Sequence, residues 1–234
     1  MEDAPPGQRI GVGGLVKGSV DSYRSGLYVA RTAREHRLVT GYLHSGAGTT
    51  VDFTREAVVT IAAQSGCAKP QAAQLYADGD RLALRRDLDE EWQECYAPFS
   101  LLAEFVVPLD RLPAHPRLGD RPPNDIGVGI LIAEDTERVD PSDPPIRVLP
   151  VTDRSSFRDW YRLGVHAGEK VRTEVPEGER RFAFLIPGCG GLIPRVDLAA
   201  DGAPVASVKS FRTSASPPCD PREHYFVVYD LPAG

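Results

Sequence analysis

The chain carries one pattern twice. Ile10-Gly11-Val12-Gly13 opens one segment and Ile126-Gly127-Val128-Gly129 another. Leu75-Tyr-Ala77-Asp78-Gly79 recurs as Leu198-Ala-Ala200-Asp201-Gly202. His44, Cys67 and Cys95 are followed in the same order by His166, Cys189 and Cys219, and Phe105-Val-Val107 returns as Phe226-Val-Val228 shortly before a Leu-Pro. Unrelated segments would not keep these landmarks in one order at nearly constant separation. The chain therefore reads as a degenerate tandem duplication of residues 9–113 and 125–232, joined by a Pro-rich linker at 114–124. The separation widens after the first landmark. The extra residues are expected in Val139-Asp-Pro-Ser-Asp-Pro-Pro-Ile146, a loop by composition. Solenoid repeats have periods of about 20–50 residues, so a repeat of this length is a domain with its own core.

Within a copy, the Ile-Gly-Val-Gly runs read as strands weakened by glycine. Gly26-Leu-Tyr-Val-Ala30 reads as a second strand. Thr32-Ala-Arg-Glu35 has the form of a helix capping box. In the second copy Asp153-Arg-Ser-Ser156 precedes the apolar stripe Phe157, Trp160, Tyr161 and Val165. Leu43-His44-Ser45-Gly46 and Val165-His166-Ala167-Gly168 end these helices, with the glycine expected as the left-handed stop. Ala57–Ile61 and Phe182–Ile186 are β-rich, and each Asp-Gly pair lies between alternating segments, the signature of a hairpin with a type I′ turn. Each copy is expected to be an α+β unit, a mainly antiparallel sheet with one short helix.

The four cysteines fall one pair to a copy, at matching spacing around the Asp-Gly hairpin. This favours Cys67–Cys95 and Cys189–Cys219 among three connectivities. Each bridge would contribute roughly 3–4 kcal/mol. Buried thiols and a metal site are the rival readings, although no Cys-x-x-Cys is present. Disulfides imply an oxidising compartment, hence a secreted, periplasmic or surface-anchored protein whose leader has been removed; reduced thiols would fit the cytosol. The start Met1-Glu-Asp-Ala-Pro-Pro-Gly is polar and is not a signal peptide, and no run of apolar residues is long enough for a membrane span. The net charge of −6 argues against a nucleic-acid partner.

Catalytic candidates are weak. His44 with Cys67, mirrored by His166 with Cys189, is the most testable set, either as an activated thiolate or as metal ligands. A histidine at a helix end and a bridged cysteine explain the same residues without chemistry. Ile10–Gly14 lacks the spacing of a dinucleotide fingerprint, and Ser45-Gly-Ala-Gly-Thr-Thr50 lacks the lysine of a phosphate loop. Gly188-Cys-Gly-Gly191 could pass for a nucleophile turn, but the first copy reads Gly66-Cys67-Ala68 without the further glycines. Asp78, Asp80, Asp87, Asp89, Glu90 and Glu91 form an acidic cluster without the spacing of a calcium loop, which reads as a solvated hairpin face. No cofactor motif stands out.

Ser25-Gly26 before a strand, the short helix, Val51-Asp-Phe53-Thr-Arg-Glu56-Ala-Val-Val59, the hairpin and a last strand closing near a proline together resemble the C-terminal domain of PrcB-type accessory subunits of bacterial surface proteases. The resemblance covers residues 25–113 and extends more faintly to the second copy. Where that family carries a Pro-Thr-Gly-Gly-Tyr turn, this chain reads Ser65-Gly-Cys-Ala-Lys-Pro70. The resemblance implies a non-catalytic extracytoplasmic domain that binds or stabilises another protein, and carries over no catalytic residue. The sequence thus points to a binding or accessory protein for a protein or peptide partner, met at an exposed strand edge or between the copies. The alternative is a metal-binding protein or metal-dependent enzyme using His44, His166, Cys67 and Cys189.

Overall fold

The computed structural model describes residues 7–16, 24–45, 50–66, 70–88, 99–138, 147–161, 171, 174–187, 192–210 and 223–233. They divide into two units, Met1–Asp125 and Ile126–Gly234. The protein is rich in antiparallel sheet, and no helix among the described residues is long and apolar enough to cross a membrane.

The first unit runs β1 (Gln8–Arg9), β2 (Val12–Leu15), β3 (Gly26–Ala30), α1 (Ala33–Tyr42), β4 (Glu56–Gly66), β5 (Pro70–Asp78), β6 (Arg81–Leu88), β7 (Phe99–Pro108) and β8 (Arg117–Leu118). Its main sheet has the order β2-β7-β4-β3, and a second sheet, β1-β5-β6-β8, is built on the β5–β6 hairpin. Central strand β4 is buried on both faces, which is why Ala57–Ala62 is an almost unbroken apolar run. Ala57, Val59 and Ile61 join Phe105, Leu75 and Leu82 in the core between the two sheets. The opposite face of the main sheet carries α1.

The chain passes from one sheet to the other at Gly11. A Cβ there would stand 2.9 Å from the Cβ of Phe105 and 3.2 Å from that of Leu75, so the strand crosses where only a bare backbone fits. The second unit uses Gly129 similarly, with a Cβ falling 2.8 Å from the Tyr229 ring.

The second unit runs β9 (Ile130–Arg138), β10 (Arg147–Pro150), a 3-10 turn (Arg154–Phe157) leading into α2 (Arg158–Tyr161), β11 (Glu179–Pro187), β12 (Leu192–Leu198), β13 (Pro204–Ser210) and β14 (Glu223–Pro232). Its main sheet has the order β10-β11-β14-β9, and β12 pairs with β13. Taken by place in each unit, both main sheets run first, last, middle, second strand. In both, the helix falls between the second and middle strands and the hairpin between the middle and last.

The structure shifts several sequence matches. Phe105 packs between the sheets, whereas Phe226 packs with Phe157 and Trp160 on the helical side. Val59 opposite Phe105 and Phe184 opposite Val227 both face the hairpin side. The two Phe-Val-Val motifs are therefore one residue out of phase, and a one-residue slip inverts the faces of a strand. Glu104, not Phe105, is the counterpart of Phe226. In this phase Val12, opposite Val106, corresponds to Ala133, opposite Val228. Segment 139–146, where the extra residues were expected, lies outside the described residues.

Local chemistry explains the helix ends. The Glu35 N–H donates to Thr32 Oγ1 at 3.1 Å, and Glu35 Oε2 accepts from the Thr32 N–H at 3.1 Å, so the capping box is complete. Asp153 Oδ1 accepts from the N–H groups of Ser155 and Ser156. The Ser155 hydroxyl and backbone bonds hold that carboxyl below its ordinary pKa, so the cap is strongest above the carboxylate range and fades as acid protonates it. The stop of α1 is His44 itself, with φ 50°, not the following glycine, Gly46, which lies outside the described residues. The His44 N–H reaches Gly41 O and the Ser45 N–H reaches Thr40 O, the paired bonds of a Schellman ending.

The hairpin tips also differ from the type I′ expectation. In the first, Asp78 pairs with Arg81, leaving Gly79-Asp80 as the turn, with positive φ only at Gly79. This is the type II′ pattern. The second is a five-residue loop between Leu198 and Pro204 with Gly202 at φ 79°.

Residues 114–124 are a folded part of the first unit rather than a free linker. The Arg117 N–H donates to Asp80 O at 2.8 Å, β8 runs parallel to β6, and the Asn124 N–H donates to Leu27 O at 2.7 Å.

Candidate functional site

The residues singled out in the sequence do not form a site among the described residues. Cys67, Cys95, Cys189, Cys219 and His166 are outside the described residues. His44 is exposed and serves as the left-handed residue after α1. Of the acidic cluster, Asp78 and Asp80 shape the hairpin tip and Asp87 lies 4.0 Å from Arg85, while residues 89–91 are outside the described set. Among the described residues no three His, Cys, Asp or Glu side chains are placed to hold a metal ion.

The first unit instead presents a cleft of about 430 Å³ between β3 and the returning 114–124 segment. Its lining includes Val29, Arg31, His115, Arg117, Pro122 and Pro123. Asn124 fixes its geometry. Besides the backbone bond to Leu27, Asn124 Nδ2 donates to Ser25 O at 3.2 Å and to the Tyr28 hydroxyl at 3.0 Å. A Cβ on Gly26 would lie 2.4 Å from that amide, so glycine is what admits it. Tyr28 donates in turn to Arg24 O, and Arg24 Nη1 donates to Tyr42 O at 2.6 Å, at the end of α1. Burial pushes the Tyr28 phenol above its ordinary pKa, which keeps it a donor.

The bond to Leu27 O also sets the orientation of the edge. In an antiparallel pair, hydrogen-bonding groups alternate between the partner strand and the outside. Leu27 O points away from β4, so the N–H and C=O of Val29 do too. Neither has a partner among the described residues. The Arg31 N–H, next in the alternation, is taken by Glu35 Oε2 at 2.6 Å. The free stretch of edge in the cleft is therefore centred on Val29.

Two buried polar pairs distinguish the units. His36 Nε2 lies 3.1 Å from Glu104 Oε2, both buried, between α1 and β7. The counterpart positions in the second unit are Phe157 and Phe226, whose ring centroids are 6.1 Å apart. The second unit has its own pair, Arg181 and Asp230, facing each other across β11 and β14 with bonds of 2.6 and 2.8 Å. The first unit carries Glu56 and Pro108 at the corresponding place. The shared frame thus demands neither pair.

The chain matches no family model, no curated protein and no solved structure.

Replacing Glu104 alone by Ala should destabilise the first unit by about 3 kcal/mol, because it strands a buried partner. Glu104→Phe combined with His36→Phe, the second unit's solution, should recover most of that loss in urea denaturation. A double variant no more stable than Glu104→Ala would show that the two positions are not equivalent.

Proposed function

We propose that the protein is a non-catalytic binding module whose first unit takes an extended segment of a protein or peptide partner by strand addition to β3. The observation that carries this reading is the outward N–H and C=O of Val29 in the cleft, one step along the edge from where Asn124 already bonds Leu27. An added strand makes main-chain bonds to such an edge, and flanking side chains supply selectivity. The cleft volume lies within the range of about 300–1,000 Å³ common for ligand sites. The similarity of residues 25–113 to PrcB-type accessory domains supports a binding role rather than a catalytic one.

The matching strand orders and similar helix caps support descent of the two units from one duplicated domain. Disulfides Cys67–Cys95 and Cys189–Cys219, and with them an extracytoplasmic location, belong to the same proposal. Mass spectrometry after alkylation without reductant should find no modified cysteine; four alkylated thiols would remove both the bridges and the oxidising compartment.

Val29→Pro tests the strand addition. Proline is tolerated on an edge where the lost N–H faces outward, so the variant should keep the circular dichroism of the parent. Its affinity for extended peptides should fall at least about tenfold, or 1.4 kcal/mol. A folded Val29→Pro protein that binds peptide as well as the parent would overturn the edge as the site.

A further inference from the structure

We infer that the segment taken by this cleft is acidic, with carboxylates at alternate positions along an extended peptide; this rests on the strand-addition reading and specifies its ligand. Among the described lining residues, three have basic side chains. Arg31 stands where β3 leaves the sheet, and His115 and Arg117 lie on the returning segment. Neither guanidinium, nor the His115 ring, has a hydrogen-bond or ion-pair partner among the described residues. Arg81 contrasts with them, since it spends its charge on Asp120 at 3.1 Å.

Glu35 is the one carboxylate among the described lining residues, and its Oε2 already accepts from the N–H groups of Arg31 and Thr32. It is thus committed to the helix cap and competes little for the two arginines. The remaining lining is mostly Val29, Pro116, Pro122 and Pro123. Prolines have restricted backbones and no N–H to offer. That wall is preorganised, so little ordering cost is added on binding, and it leaves main-chain bonding to Val29.

An extended peptide directs alternate side chains to one side. Acids at alternate positions therefore face the arginines together, while the residues between them face the other side of the added strand. The rest of the molecule sharpens the selection. The chain as a whole carries a net charge of −6, so an acidic peptide is repelled by most of the surface and attracted at this cleft. Such contrast gives specificity and orientation more than raw affinity.

The test uses the full-length protein and three fluorescein-labelled hexapeptides of one design, alternating valine with glutamate, glutamine or lysine. Fluorescence anisotropy at low salt should rank glutamate above glutamine by about tenfold and lysine weakest. Salt should reduce binding of the glutamate peptide most. Arg31→Gln with Arg117→Gln, both at exposed positions, should abolish the difference between the glutamate and glutamine peptides; a difference that survives in this variant would overturn the arginines as its source. Equal binding of the glutamate and glutamine peptides would overturn the charge selection while leaving strand addition standing. Binding of none of the three would overturn the strand-addition reading itself, and the inference with it.

Discussion

Asn124 ties the returning segment of the first unit to its edge strand. Its backbone N–H extends the edge of β3, and its side-chain amide bridges Ser25 O and the Tyr28 hydroxyl. Through Tyr28 and Arg24 the same chain of bonds reaches the C-terminal carbonyl of Tyr42 in α1. That carbonyl lies at the negative end of the helix dipole, where a guanidinium is well placed. Helix, edge strand and returning segment are thus held by a single hydrogen-bonded line. Together with the pairing of β8 with β6, it holds the Pro-rich segment opposite Val29 and gives the cleft its second wall.

Two units with one strand order allow an internal comparison that a single domain would not. Where the second unit fills the space under its helix with Phe157, Trp160 and Phe226, the first holds the His36–Glu104 pair. Where the second buries Arg181 against Asp230, the first has Glu56 beside Pro108. Buried polar pairs, charged or not, do not in general stabilise a fold more than well-packed apolar residues. Their different placement shows that one strand order accommodates either solution. The 114–124 segment belongs to the first unit, where it covers the hairpin edge at β6 and one side of β3.

The fold was legible where local chemistry and long-range contacts agree. Thr32 and Glu35 announced a capping box, the β-rich run at Ala57–Ile61 announced a strand, and both are present. Register was less legible. Phe-Val-Val repeats as a string, but which face each residue takes depends on pairing with β4 or β11, which no local pattern records. His44 as a left-handed helix stop was hidden by the more usual glycine two residues later. The cleft left the faintest trace. Prolines in 114–124 read as a spacer because composition says nothing about Asn124, whose role depends on an absent Cβ at Gly26, far away in the chain.

The most direct measurement is amide hydrogen exchange at Val29, followed by NMR in the full-length protein. In the free protein the Val29 N–H should exchange much faster than those of Tyr28 and Ala30, which point toward β4. Saturating acidic peptide should slow Val29 by at least about tenfold, the protection of one added main-chain bond worth about 1 kcal/mol or more. A Val29 amide already protected in the free protein, or one unmoved by a peptide that binds, would contradict the open edge on which this account of the protein rests.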